Sequence, residues 1–246
     1  MNAEILWPTH SICIRPLSLK VPSIAANLYD RTCRTGFDAP GFCMVNVGQS
    51  IDSVAFRQLM VDLKQAMSAI HEYKTGHTLI YLSATRFDQQ ETTRPHLDGG
   101  PDESLLMLGY EPSKVDSELD ISDYAKCAFD RDLSPKEFMA RHNPMFQANY
   151  ELLRPYTTPI PYFSQTDYRI VCINNSSAPF SQAQPTWQGT LHTATILNPD
   201  EAAQRIVNST MIAPAPMGAS DAISQSQQRA FITTPIVHRR DYNNPK

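Results

Sequence analysis

His96 and Asp98 stand two residues apart in the run Arg94-Pro95-His96-Leu97-Asp98-Gly99-Gly100. In extended backbone alternate side chains share a face, so an imidazole and a carboxylate project together there. Such a pair supplies two neighbouring ligands for a metal ion. Alone the pattern is weak, because chance produces it often in chains of this composition. His192 strengthens it: this histidine lies inside an alternating apolar run, with Gly189 three residues before it. Two histidines and one carboxylate leave open positions on an octahedral metal, a set suited to iron(II). Arg205 follows thirteen residues after His192, at the start of the next apolar run. A guanidinium there can grip the carboxylate of an organic acid through two parallel hydrogen bonds.

His142 competes with His192 for the second imidazole, since Arg154 follows it at a similar interval. Its surroundings disfavour it. His142-Asn143-Pro144 ends a helix opened by the capping box Ser134-Pro135-Lys136-Glu137, whereas His192 crosses a strand.

The elements that must position these groups are mostly short strands. Alternation marks strands over residues 11–20, 41–47, 77–84, 104–110, 168–174, 190–197 and 205–212, with a last one over 230–237. The clearest helix runs from about Ser53 to Tyr73. Phe56, Leu59, Met60, Leu63, Met67 and Ile70 form one stripe, Asp52 or Ser53 caps it, and Gly76 lies past its end. That stripe reads as core packing. Residues 117–154 turn helical in character, Asn198-Pro199-Asp200-Glu201 reads as a single helical turn, and residues 213–229 read as a loop or lid. Strands and helices do not alternate regularly, which disfavours a doubly wound parallel sheet and favours a mainly β fold with helices (α+β).

Taken together, H-x-D at 96–98, His192 and Arg205 resemble the iron(II)/2-oxoglutarate-dependent oxygenases. The run Gly41-Phe42-Cys43-Met44-Val45-Asn46-Val47-Gly48 followed by an amphipathic helix is similar to that family's N-terminal strand and helix. The resemblance covers about residues 36–212. It implies a double-stranded β-helix (jelly roll) across residues 1–246, with an N-terminal helix, a helical insertion at about 112–154, and a lid or tail at about 213–246. It implies His96, Asp98 and His192 as ligands of Fe(II), Arg205 as partner of the distal carboxylate of 2-oxoglutarate, and dioxygen as the other co-substrate. Many members carry serine two residues after the arginine, where this chain has Val207; Ser209, at the same strand parity, is the substitute. The interval from His96 to His192 is long for the family, and the helical stretch accounts for it. The family's halogenases replace the carboxylate ligand by a small residue. The presence of Asp98 therefore implies hydroxylation or a related C–H oxidation.

Two further residues are candidates by strand position. Tyr81 can offer its hydroxyl to 2-oxoglutarate, against the plainer reading of a core tyrosine. Arg94 shares parity with His96 and can bind an acidic group on the substrate, against a surface salt bridge. Asn174 and Asn175, at the end of a strand, border the expected pocket.

Composition bounds the function. The 246 residues suffice for one large core, and a hydrophobic content of 41% excludes disorder over the whole chain. A net charge of −4 argues against nucleic acid as partner. No apolar run is long enough for a membrane helix, and residues 1–10 lack the basic start and apolar core of a signal peptide. Five scattered cysteines without a C-x-x-C pair fit reduced thiols in a cytoplasmic protein. The expected substrate is a small molecule, such as a free amino acid or specialised metabolite. Two rival readings are a metal-binding jelly-roll module acting as a sensor, and a cupin-like metalloenzyme that does not use 2-oxoglutarate.

Overall fold

A computed structural model describes residues 7–161 and 165–239. In chain order the elements are α1 (Thr9–Ile12), β1 (Cys13–Ile14), α2 (Val21–Thr32), β2 (Phe42–Gly48), α3 (Ser53–Thr75), β3 (His77–Asp88), β4 (Leu105–Tyr110) and β5 (Ser117–Ser122). After them come α4 (Tyr124–Phe129), α5 (Pro135–His142), two short 3₁₀ turns, β6 (Thr157–Pro159), β7 (Tyr168–Asn174), β8 (Leu191–Ile196), β9 (Ile206–Pro216), α6 (Gln225–Thr233) and β10 (His238–Arg239). The fold is mixed α/β, with a seven-stranded sheet in the order β1-β2-β7-β4-β9-β3-β10 and a three-stranded sheet in the order β6-β5-β8.

The period-2 pattern of the strands decides what each face meets. Cys43, Val45, Leu105, Met107, Ile170 and Cys172 project to one side of the large sheet and pack on α2 and α3. Their alternates Phe42, Met44, Leu106, Leu108, Val171 and Ile173 project to the other side, where Leu119 and Ile121 of β5 meet them. The small sheet therefore lies face to face with the large one, and the helices cover the opposite surface. The stripe on α3 is core, as its spacing predicts. Asp52 caps that helix through bonds from Val54 N (2.9 Å) and Ala55 N (2.8 Å). Gly76 closes it at φ +74°, a conformation that a residue without Cβ adopts at no steric cost.

One segment extends the small sheet. Residues 92–96 run beside β8, with Thr93 N donating to Ala194 O (2.9 Å) and His96 and His192 exchanging backbone bonds of 3.2 Å each. The chain then crosses from the small sheet to β4 of the large one through residues 97–104.

Several expectations need correction. Only Cys13–Ile14 of the expected strand at 11–20 is extended, and α2, unforeseen, follows it. Its apolar face (Ile24, Ala25, Leu28, Tyr29) is buried against α3, so tertiary packing stabilises a segment whose local pattern is short. The stretch at 112–154 is not wholly helical: Ser117–Ser122 is the central strand of the small sheet. Glu118 and Asp120 on its other face hid the alternation of Leu119 and Ile121. Residues 198–201 form a turn and no helix. The expected lid at 213–229 holds the end of β9 and the start of α6, which the Ser224–Gln227 capping box opens. The expected strand at 230–237 is the end of that helix plus an extended strap, and only His238 and Arg239 pair, with Phe87 and Asp88 of β3.

Candidate metal centre

His96 comes from the strand-like segment beside β8, His192 from β8 itself, and Asp98 from the crossing between the sheets. Backbone pairing of His96 with His192 sets the two imidazoles side by side, with ring centroids 4.2 Å apart. His96 Nε2 lies 3.5 Å from Asp98 Oδ1. One ligand atom from each of the three residues lies within 4.8 Å of the others, so the group can hold a metal ion. Cis ligands of an octahedral first-row ion stand about 3 Å apart, so small side-chain rotations close the set.

The surroundings orient the ligands. His96 Nδ1–H donates to the Arg94 carbonyl (2.7 Å), which leaves Nε2 with a free lone pair toward the centre. Asn175 holds the Asp98 backbone from both sides: its Oδ1 accepts from Asp98 N and its Nδ2 donates to Asp98 O, both at 2.9 Å. The expectation that Asn175 borders the site thus acquires a physical role. Asn174 points elsewhere, donating to Thr32 O (2.9 Å).

A narrow cavity of about 40 Å³ joins the three ligands to Gln89, Tyr110, Val207 and Ser209. Ser209 thus lines the site at the parity expected. Arg205 lies behind Gln89 and Tyr110. Its guanidinium carbon is 5.1 Å from the Tyr110 ring centroid, and Nε donates to Ser117 Oγ (2.8 Å). Nη1 donates to the Gln89 backbone carbonyl (3.2 Å) and to the Gln89 side-chain oxygen. Gln89, Tyr110 and Ser117 carried no sequence signal. The first two lie at or just past strand ends, where period-2 reasoning stops, and Ser117 begins a strand inside a stretch whose local pattern is helical.

No protein-family model matches the chain, and no curated protein matches it in sequence. The site therefore rests on its own geometry.

Two expected residues are not brought to it. Tyr81 is buried among the residues packed under the helices, with Lys64 Nζ 4.6 Å from its ring centroid. Burial raises its phenol pKa well above the ordinary value. A β-bulge between Tyr81 and Ser83 explains the misplacement. The bulge reverses strand parity, so Ser83, Thr85 and Phe87 face the inter-sheet side while Tyr81 faces the helices. Arg94 is exposed and donates to the Met145 carbonyl, outside the cavity. His142 packs on Phe138 at a ring distance of 5.5 Å, at the end of α5, away from the three ligands.

Gly189 sets where β8 begins. A Cβ there would sit 2.0 Å from the Ser176 carbonyl oxygen, a contact no side-chain rotation relieves. Gly189→Ala is expected to destabilise the chain by about 1–3 kcal/mol through backbone displacement, and to weaken metal binding because His192 lies three residues on. Thermal unfolding and metal titration check this, and an unaltered melting curve would contradict it.

Proposed function

We propose that the chain is a non-haem iron(II)/2-oxoglutarate-dependent oxygenase that oxidises a C–H bond of a small molecule. The observation that carries this is the grouping of His96, Asp98 and His192 on one cavity whose wall includes Gln89 and Tyr110, the two residues that the Arg205 guanidinium bonds and stacks against. The cavity suits a metal, and the guanidinium behind its wall suits a carboxylate once Gln89 turns aside. Strand order supports the jelly-roll reading: β3, residues 92–96, β4, β5, β6, β7, β8 and β9 make eight strands shared between two facing sheets.

The donor set fits iron(II). Two imidazoles and the Asp98 carboxylate would form a facial triad with open positions for co-substrates, Asp98 filling the place that a small residue would leave to a halide. Arg205 fits an organic acid, since its guanidinium is buried and stacked on Tyr110. Gln89 places an amide oxygen where the acid's carboxylate would lie, so that amide must turn aside to admit it. Iron(II) with 2-oxoglutarate and dioxygen supplies the oxidising power, with succinate and carbon dioxide as by-products. The chain's own residues hold the ligand set, anchor the co-substrate at Arg205, and exclude water with Leu108, Tyr110 and Val207.

Anaerobic addition of iron(II) and 2-oxoglutarate to the purified protein is expected to give a weak visible charge-transfer band. Arg205→Ala is expected to weaken 2-oxoglutarate binding about a hundredfold, through loss of a charge-assisted bidentate pair, while iron still binds. If iron binds and no band forms in the unaltered protein, the reading fails. The narrow cavity, with Gln89 already seated on Arg205, then favours a metal-binding jelly roll that does not use 2-oxoglutarate, as a cupin-like enzyme or a sensor.

A further inference from the structure

Beside the metal cavity lies a second, larger one of about 410 Å³, with Phe87, Asp98 and Ser209 in the shared wall. Its size suits a small organic ligand. We infer that it takes an amphipathic monocarboxylate without a free ammonium group, presented with its apolar part toward Asp98. This rests on the reading of His96, Asp98 and His192 as the reaction centre, and it adds the substrate class.

The lining divides by chemistry. Phe87, Leu106 and Met211 provide apolar surface, and Ser83, Thr85 and Ser209 provide hydroxyls. Charge comes from β10. His238 and Arg239 line the cavity from the two-residue strand β10, which pairs with β3 at Phe87 and Asp88. Arg86, also in the lining, is already matched by Glu111 at 3.1 Å. Arg239 therefore supplies the lining's unmatched positive charge among the described residues, and a planar guanidinium there selects a carboxylate.

The same lining argues against a free amino acid. An α-ammonium group needs a carboxylate partner when it leaves water. Asp98 is the one carboxylate in the lining among the described residues, and the metal would engage it. A simple or N-acylated acid satisfies the cavity, whereas a zwitterion leaves its ammonium group without a partner.

Calorimetric titration of the full chain tests this with aryl- and alkyl-monocarboxylates, their primary amides and the matching α-amino acids. The acids are expected to bind about ten- to a hundredfold more tightly than amides or amino acids. Arg239→Gln should erase that preference and Arg239→Lys should keep part of it. With Mn(II) added as a paramagnetic probe, proton relaxation of the bound acid should quicken, and Asp98→Ala should abolish the effect. Equal affinity for acid and amide, no binding by any of the acids, a preference that survives Arg239→Gln, or binding without a paramagnetic effect would each overturn the assignment. The charge-transfer band with 2-oxoglutarate is read separately. If that band is absent while acids bind near Mn(II), the oxygenase reading fails and the cavity assignment stands.

Discussion

Alanine at Asp98 or at His192 is expected to abolish iron(II) binding and every activity that depends on it. Each removal leaves two protein ligands from a set of three, and neither can be replaced by a neighbour. Asp98 is the only carboxylate in the cavity among the described residues. His96 and His192 are the only imidazoles that line the cavity among the described residues, so no third one stands ready to take the place of His192. Loss of an outer hydrogen-bond partner alone typically lowers metal affinity about 10–100-fold, and loss of a ligand should exceed that. Asn175→Ala supplies the graded comparison. It frees the Asp98 backbone from two bonds of 2.9 Å without touching a ligand atom. It should fall in the 10–100-fold range, with the iron(II) stoichiometry preserved. Anaerobic calorimetry with iron(II), or with cobalt(II) as a coloured stand-in, measures all three variants. Unchanged affinity in either ligand variant would remove the metal centre and the oxygenase reading with it.

What the sequence discloses about this site follows from how local its causes are. The pair at 96–98 is legible because two residues on one extended segment need no further structure to share a face. His192 could be preferred over His142 because capping and proline signals mark His142 as a helix end, and the structure places it there. The interval from His192 singles out Arg205, but the setting of its side chain depends on Gln89, Tyr110 and Ser117, which come from three other segments. No spacing rule connects them. Tyr81 shows the limit of parity: one bulge between it and Ser83 reverses the face, and nothing in the run Leu79-Ile80-Tyr81-Leu82-Ser83 announces a bulge. The strand Ser117–Ser122 was hidden for a related reason. Its β character comes from burial between β6 and β8, and the surrounding helices α4 and α5 dominate the local pattern. Capped helices such as Ser53–Thr75 declare themselves, whereas alternation misleads at 11–20 and 230–237, where no neighbouring strand pairs with most of the run, and elements that exist because a neighbour covers them stay hidden.

Glu111→Ala is expected to be strongly destabilising although it lies outside the apolar core. Glu111 lies just past β4 with its side chain 8% exposed, between Arg57 at 2% and Arg86 at 8%. Its Oε1 accepts from Ser53 Oγ (2.7 Å), Asn208 Nδ2 (2.9 Å) and Arg57 Nη1 (3.3 Å), and Arg86 reaches both of its oxygens. One carboxylate thus compensates two buried guanidinium groups, with backbone carbonyls completing them. Arg57 donates to Ile232 O (2.9 Å) and Thr234 O (3.1 Å), and Arg86 to Pro235 O (2.9 Å). Burial, and then the Arg86 charge, lower the Arg57 pKa, and Glu111 opposes both. Removing the carboxylate leaves two positive charges facing each other out of water, a loss of about 3–5 kcal/mol. For a chain of this length that corresponds to a fall in Tm of roughly 6–20 °C. Glu111→Gln keeps the hydrogen-bond acceptor and loses the charge, so it should fall between the variant and the parent. The same contacts hold residues 232–236, the strap that brings His238 and Arg239 to the edge of β3. Loosening them should therefore raise proteolytic cleavage within 232–239 before the rest of the chain unfolds. A melting temperature within about 2 °C of the parent, which corresponds to less than about 1 kcal/mol, would show that the arginines find other partners and that the cluster does not hold the strap.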